Sequence, residues 1–174
     1  MTFLRHRATR STAAAASVLA LAAPVLALGA APAGAATVST CSFSNLSVKL
    51  TNADAAAGSQ YFTIRFTNTG RHTCVLDGHP GVSLVTAGHR QVGLTAKRAG
   101  DTIRTVRLAP GEKADAVLRI TNALNYAKST CRPTDVSALR VFPPGSTRSF
   151  YLRLHTTTCA KDVRTMTINA VRHH

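Results

Sequence analysis

The four cysteines are the residues whose possible chemistry is easiest to narrow down from the sequence. Cys41, Cys74, Cys131 and Cys159 allow either two disulfides, with three possible pairings, or a four-cysteine zinc site. No Cys-x-x-Cys spacing is present, although structural zinc sites commonly place two ligands that close together. We therefore favour disulfides, which would leave no thiol to serve as a nucleophile.

Histidines are the other candidates for metal binding or catalysis. His72, His79 and His89 lie near one another in the sequence, and His173-His174 ends the chain, but no spacing places two imidazoles on one face. We expect no metal site, loop positions for His72 and His89, and a disordered tail. No Gly-x-Ser-x-Gly elbow is present to activate a serine. The sequence therefore predicts a protein that is not an enzyme and that uses no cofactor.

Residues 1–36 have the features of a secretory signal peptide. Three arginines occur in the first ten residues, an uncharged Ala-, Leu- and Val-rich run follows from Ala13 to Leu28, and small residues then provide Ala-x-Ala cleavage sites. The apolar run is shorter than the ~20 residues of a spanning helix and contains Pro24. We expect cleavage near Ala36, secretion of the domain 37–174, and no transmembrane segment in the mature chain.

The mature chain is strongly basic. Three of the 21 Lys and Arg residues fall in the predicted signal, which leaves 18 against seven Asp and Glu, a net charge of about +11. Such a charge favours contact with anionic surfaces outside the cell, although it also serves solubility. The residues predicted to contact an anionic surface are Arg140, Arg148 and Arg153. With no Trp and only three Tyr, the chain lacks the stacking platforms that sugars or single-stranded nucleic acid require.

Short β-strands must position these residues. Apolar and polar residues alternate over 46–50, 62–66, 114–120 and 166–170, and Gly- and Pro-containing turn signals separate such segments. We count nine or ten short strands, which predicts an all-β fold with a single antiparallel, immunoglobulin-like β-sandwich. Residues 122–128 are predicted to form a short helical or irregular insert.

The strand pattern also selects a disulfide pairing. Cys131 and Cys159 are equidistant from Gly145, at the centre of a Pro-Pro-Gly turn, so they should lie opposite one another in an antiparallel hairpin. Cys41 and Cys74 flank the first predicted hairpin in the same way. The sequence therefore predicts the disulfides Cys41–Cys74 and Cys131–Cys159.

Several segments of the mature chain resemble a known family. They are Phe66-Thr67-Asn68-Thr69-Gly70, the run from Thr73 to Val82, Leu108-Ala109-Pro110-Gly111 and Cys131-Arg132-Pro133. Over about 41–171 the chain resembles the actinobacterial secreted domain of unknown function 4232. The resemblance implies an exported, disulfide-bonded β-sandwich and implies no activity. Family members usually carry an aromatic residue where this chain has His79.

These observations favour a secreted, non-catalytic module that associates with an anionic cell-envelope polymer or a secreted protein through a basic sandwich face. A second hypothesis is an inhibitor of a secreted protease, with the loop from Asn122 to Ser129, pinned by Cys131, as its binding loop. A third, an extracellular hydrolase, requires a fold that brings a His, an acid and a hydroxyl together in a cleft.

Overall fold

The computed structural model describes residues 37–100 and 102–174, which are mostly β-strand. The predicted signal peptide, residues 1–36, lies outside the described residues. The described residues contain two 3₁₀ turns, at Phe43–Asn45 and Ala123–Asn125, and one short helix, α1 (Lys128–Cys131). Their twelve strands are β1 (Leu46–Ala56), β2 (Ser59–Asn68), β3 (Cys74–Asp77), β4 (Gly81–Val85), β5 (Gln91–Val92), β6 (Lys97–Arg98), β7 (Thr105–Leu108), β8 (Lys113–Thr121), β9 (Pro133–Phe142), β10 (Phe150–Cys159), β11 (Met166–Ile168) and β12 (Arg172–His173).

The described strands form three sheets. A six-stranded sheet has the order β1-β2-β8-β11-β6, with β12 also paired to β8. A four-stranded sheet has the order β10-β9-β4-β5, and β3 pairs with β7. The pairing of β6 with β11 is parallel, whereas the other pairings between these strands are antiparallel.

One buried cluster holds the sheets together. Phe66 and Leu118 of the six-stranded sheet and Leu84 and Leu139 of the four-stranded sheet are all fully buried in it. Because successive side chains of a strand point to opposite faces, their strand neighbours point away from this core. The two larger sheets therefore pack through their inner faces, as a β-sandwich does, and each presents one outer face. This arrangement confirms the predicted all-β fold.

The first hairpin is longer than the sequence pattern predicts. The alternation in β1 fades after Leu50, yet β1 stays paired with β2 as far as Ala56, opposite Ser59. The register shifts between Thr51 and Ala53, where Asn52 has a φ of 49°. A β-bulge at this position explains why the period-2 pattern is lost without the strand ending.

Both predicted disulfides are present. Cys131–Cys159 closes the β9–β10 hairpin, as predicted, but Cys159 lies opposite Pro133 and not Cys131, because the register shifts between Arg153 and Thr156. Cys41–Cys74 instead fastens the start of the described chain to β3. The Cys41 amide adds a second contact between these segments, since it donates to the Val75 carbonyl at 2.9 Å. In the chain-entropy model each crosslink contributes about 3–4 kcal/mol.

The prediction that the C-terminal tail is disordered is wrong. Arg172 and His173 form β12 opposite Asp115 and Ala114, and the His174 amide donates to the Lys113 carbonyl. Two-residue strands such as β5, β6 and β12 are too short to show an alternation, which is why the described residues contain more strands than the nine or ten expected. The residues between 122 and 131 form a 3₁₀ turn and α1, in agreement with the predicted insert.

Candidate functional site

Arg140 lies on the outer face of the four-stranded sheet, where neighbouring strands hold its guanidinium. Ser83 of β4 and Tyr151 of β10 are its direct cross-strand partners. Its Nε donates to Ser83 Oγ at 3.1 Å, and one terminal nitrogen donates to Gln91 Oε1 at 2.7 Å. Its guanidinium also lies 5.5 Å from the Phe142 ring centroid. Arg140 is thus a positioned cation whose orientation is set by three strands.

An aromatic pair lies beside Arg140. His89, in the turn between β4 and β5, stacks on Tyr151 of β10, with ring centroids 3.8 Å apart and planes inclined by 12°. His89 adopts a φ of 60° within this turn, and its amide donates to the Thr86 carbonyl at 2.9 Å. Ala138, the β9 residue opposite Val85 and Arg153, has a side chain small enough to leave room for a ring to cross the sheet.

Arg153 extends the same surface. It is two residues from Tyr151 on β10 and exposed, so both side chains point outward, while Leu152 and Leu154 pack on the core. Strands β4, β5 and β10 contain no Asp or Glu, and Asp135 of β9 accepts a hydrogen bond from Thr157. Among the described residues neither Arg140 nor Arg153 has an ion-pair partner. We call Arg140, Arg153, Tyr151, His89 and Gln91 the β9–β10 surface.

Arg148 is placed differently. It precedes β10, and its guanidinium lies 4.1 Å from the centroid of the Phe43 ring, which in turn stacks on Phe150. It lines an open depression together with Thr40 and Ser42 near the start of the described chain. The fold therefore brings Arg140 and Arg153 together on one strand pair, and directs Arg148 to the Phe43 ring.

The outer face of the six-stranded sheet carries a different kind of charged contact. Arg65 lies directly opposite Asp115 and binds it through two hydrogen bonds, of 2.9 and 2.8 Å. His174 Nδ1 lies 2.9 Å from Asp115 Oδ2. Burial of Asp115 opposes its ionisation, but the hydrogen bonds from Arg65 and His174 outweigh that effect, so the pKa of Asp115 is lowered. Arg65 and the C-terminal residue His174 therefore stabilise the ionised carboxylate of Asp115 in β8.

His79 takes part in packing. Its Nε2 donates to the Ala99 carbonyl at 2.9 Å, because a carbonyl oxygen can only accept. Its Nδ1 is buried and has no partner among the described residues. The ring thereby links the connection between β3 and β4 to the residues after β6. The His79 ring thus fills the space between these two connections. The aromatic residue that resembling proteins usually carry at this position can fill the same space.

The other histidines form no metal site within 37–100 and 102–174, where no group of three potential ligands comes together. His72 is exposed in the connection after β2, as expected, and its carbonyl accepts from Asn68 Nδ2. His155 lines an open groove of about 580 Å³ between the tip of the β1–β2 hairpin, the second 3₁₀ turn and β10. Ser59 and Thr156 also line this groove, and its described lining contains no carboxylate.

The segment from Asn122 to Ser129 forms one wall of that groove and is held at both ends. Asn122 Oδ1 accepts from the Leu124 amide at 2.9 Å, and Asn125 Nδ2 donates to the Gly58 carbonyl at 2.9 Å. Cys131 follows in α1 and is fully buried. Between these anchors the Leu124 side chain is 72% exposed, an unusual position for a large apolar residue.

Two of the family-like motifs meet at one buried side chain. Asn68, which is 1% exposed, donates from Nδ2 to the carbonyls of Leu108 and His72, and its Oδ1 accepts from the Gly70 amide, all at 2.9 Å. Its backbone bonds to Gly111 and Glu112 in the turn before β8. The Asn-Thr-Gly and Leu-Ala-Pro-Gly motifs therefore fasten β2 to the β7–β8 turn.

Sequence reasoning missed His89 and Gln91 as members of the β9–β10 surface, and it missed Ser83 as a hydrogen-bond partner of Arg140. His89 was expected to be a loop residue without a role. Tyr151 was considered only as one of three tyrosines, too few to form a stacking platform. The alternation around Tyr151 and Arg153 indicates that they share a face. The sequence carries no signal that a turn more than 60 residues earlier would supply the stacking ring.

Comparison with known proteins agrees with this description. No helix among the described residues has the length and apolar character needed to cross a membrane. A search of curated proteins found no match. The family model described as Domain of unknown function (DUF4232) matches residues 41–172, which span both disulfides, the Asn68 motif and the β9–β10 surface. The chain therefore belongs to the DUF4232 family.

Proposed function

We propose that this protein is an exported, non-catalytic module that binds an anionic polymer of the cell envelope through the β9–β10 surface. The observation that carries the proposal is the pair Arg140 and Arg153 on an outer sheet face whose strands β4, β5 and β10 contain no carboxylate. Arg140 is held by Ser83 and Gln91, so it loses little side-chain entropy when an anion binds.

The chemistry of the chain supports the exported compartment in this proposal. Two disulfides persist in an oxidising compartment, and the signal-like residues 1–36 supply a route to it. All four cysteines are bonded, so no thiol nucleophile remains. The net charge of about +11 on 37–174 attracts polyanions with a strong dependence on salt.

The test is co-sedimentation of the mature protein with isolated actinobacterial cell walls across a salt series. The double variant Arg140→Gln/Arg153→Gln should weaken binding about five- to tenfold and flatten its salt dependence, because each lost cation removes one ionic contact. Arg148→Gln, measured separately, reports whether the cation beside Phe43 contributes.

A charge-matched control uses Arg71→Gln/Arg164→Gln. Both residues are exposed and lie in connections outside the strands. The control should lose less than about twofold in affinity. Equal losses for the two double variants would show that only total charge matters, and the β9–β10 surface would then have no special role.

The second candidate function is inhibition of a secreted protease by the segment Asn122 to Ser129. The exposed Leu124, on a segment fixed by Asn122, Asn125 and the Cys131 disulfide, favours it because a rigid loop binds at a low entropic cost. Excess protein would inhibit a protease that cleaves after large apolar residues, and Leu124→Asp would abolish that inhibition. Undiminished activity across a protease panel would exclude this function.

A further inference from the structure

We infer that the protein carries a second cationic surface, on the opposite side of the sandwich, and that it bridges two strands of an anionic phosphodiester polymer. The inference rests on the proposed function, since it uses the same class of ligand. The outer face of the six-stranded sheet presents charged residues at positions fixed by strand register. Its cations Lys49, Arg65, Lys97, Lys113, Arg119 and Arg172 outnumber the acids Asp54 and Asp115.

Register places these side chains on one face. Lys49 lies opposite Arg65, which lies opposite Asp115. Lys113 is two residues from Asp115 on β8, so both point to the same side. Farther along β8, Arg119 lies opposite Thr167 of β11, and Lys97 of β6 lies on the other side of Thr167. We call Lys49, Lys97, Lys113 and Arg119 the β8 surface.

The β8 surface stays positive because its cations are not neutralised by the acids on the same face. Asp115 is engaged by Arg65 and His174, and Asp54 accepts from the Ala55 amide. Lys49, Lys97 and Lys113 are exposed, and none has an ion-pair partner within the described residues. Arg119 donates from Nε to Ser59 Oγ at 3.0 Å, which orients it much as Ser83 orients Arg140.

The β8 surface and the β9–β10 surface point in opposite directions because the two sheets share one core. Packed sheets lie about 10 Å apart, and outward side chains place the two charged layers roughly 20 Å apart. That separation exceeds twice the Debye length of ~8 Å at physiological ionic strength. A polyanion bound to one surface therefore does not cancel the attraction of the other, so one molecule can hold two polymer strands.

The experiment uses linear polyphosphate as the probe, at physiological ionic strength, with two readouts. Binding is measured by fluorescence anisotropy of end-labelled polymer, and bridging by light scattering during titration. For the wild-type protein, scattering should rise to a maximum near charge equivalence and fall again in excess polymer, as each surface becomes occupied by a separate chain.

Three double variants remove the same charge from different places. They are Arg140→Gln/Arg153→Gln, Lys49→Gln/Lys113→Gln and the loop control Arg71→Gln/Arg164→Gln. Either surface variant should still bind polymer, within about tenfold of wild type, while the scattering maximum falls at least fivefold. The loop control should retain most of the scattering.

Each other result has a distinct meaning. Wild-type protein that binds walls and polyphosphate but forms only small soluble complexes would overturn bridging and leave the proposed function intact. Equal scattering by all three double variants would also overturn bridging through two surfaces. If wild-type protein binds neither walls nor polyphosphate, the proposed function and this inference fail together. Thermal unfolding of every variant separates lost bridging from lost folding.

Discussion

Replacing Asn68 by alanine should cost a large part of the protein's stability. Asn68 is buried, and its amide serves the Leu108 and His72 carbonyls and the Gly70 amide. The two partly exposed hydrogen bonds contribute about 1 kcal/mol net each, whereas a buried partner left unpaired costs about 1–3 kcal/mol. The Leu108 bond is the buried one of the three. We therefore expect Asn68→Ala to lower the free energy of unfolding by about 3–5 kcal/mol.

A loss of that size is easily measured. Whole domains have unfolding free energies of about 5–15 kcal/mol, so the variant would lie close to the limit of folding. Urea denaturation with both disulfides intact gives the difference, and the thermal midpoint should fall by roughly 10–20 °C. Thr69→Ala is the matched control, because Thr69 is the exposed next residue and should change stability by less than about 0.5 kcal/mol.

A second substitution tests the direction of the hydrogen bonds. Asn68→Asp keeps an acceptor for the Gly70 amide but turns a carboxylate toward two carbonyl oxygens. Burial raises the pKa of such a carboxyl group above its ordinary value of about 4, and the protonated form can donate again. The stability deficit should therefore shrink as the pH falls from 7 to 4. A deficit independent of pH, or an Asn68→Ala variant within 1 kcal/mol of wild type, would refute this account.

Two further predictions concern charge and backbone shape. Because the pKa of Asp115 is lowered in the folded state by Arg65 and His174, ionised Asp115 adds stability above its unfolded pKa, and this is lost as the pH falls through the folded pKa. Asp115→Asn should cost about 1 kcal/mol at pH 7 in urea denaturation, and this cost should shrink as the pH is lowered below about 4; a constant difference would contradict the ion pair. Gly93, at a φ of 68°, leaves no room for a Cβ beside a β10 carbonyl, whereas Gly111, at 83°, faces open space. Both alanine variants lose about 1–2 kcal/mol to backbone strain, but Gly93→Ala should lose about 1–3 kcal/mol more in the same assay; equal losses would show that the clash is relieved.

Gly93 also bears on the proposed site. Its carbonyl accepts from Gln91 Nε2 at 3.0 Å, and Gln91 Oε1 accepts from Arg140. This chain of hydrogen bonds orients the Gln91 amide, because only its oxygen can face the guanidinium. A backbone shift at Gly93 would therefore misplace Arg140 as well as destabilise the domain.

Local pattern was sufficient for part of the fold. Alternation located the inward faces of β2 and β8, because a strand with one buried face must alternate. The Cys131–Cys159 disulfide was predicted correctly from symmetry about the Pro-Pro-Gly turn, although the register shift in β10 places Cys159 opposite Pro133, two residues from the predicted match. Cys41–Cys74 was paired correctly, although the crosslink ties the chain to β3 and not to the end of a hairpin.

The arrangement of charge across the sheets follows a different rule, which limits any prediction from sequence. Alternation states whether a side chain points inward or outward, but sheet order decides which outward side chains become neighbours. Arg140 gains Ser83 and Gln91 because β4 and β5 lie beside β9, and Arg65 gains Asp115 because β8 lies beside β2. Sequence reasoning grouped Arg140, Arg148 and Arg153 because they lie along one hairpin. Arg148 is in the connection between the strands, where strand alternation does not set the direction of a side chain, and it lies over Phe43. The β8 surface draws its cations from β1, β6 and β8, which are far apart in sequence, so a prediction of two opposed cationic surfaces requires the sheet order first.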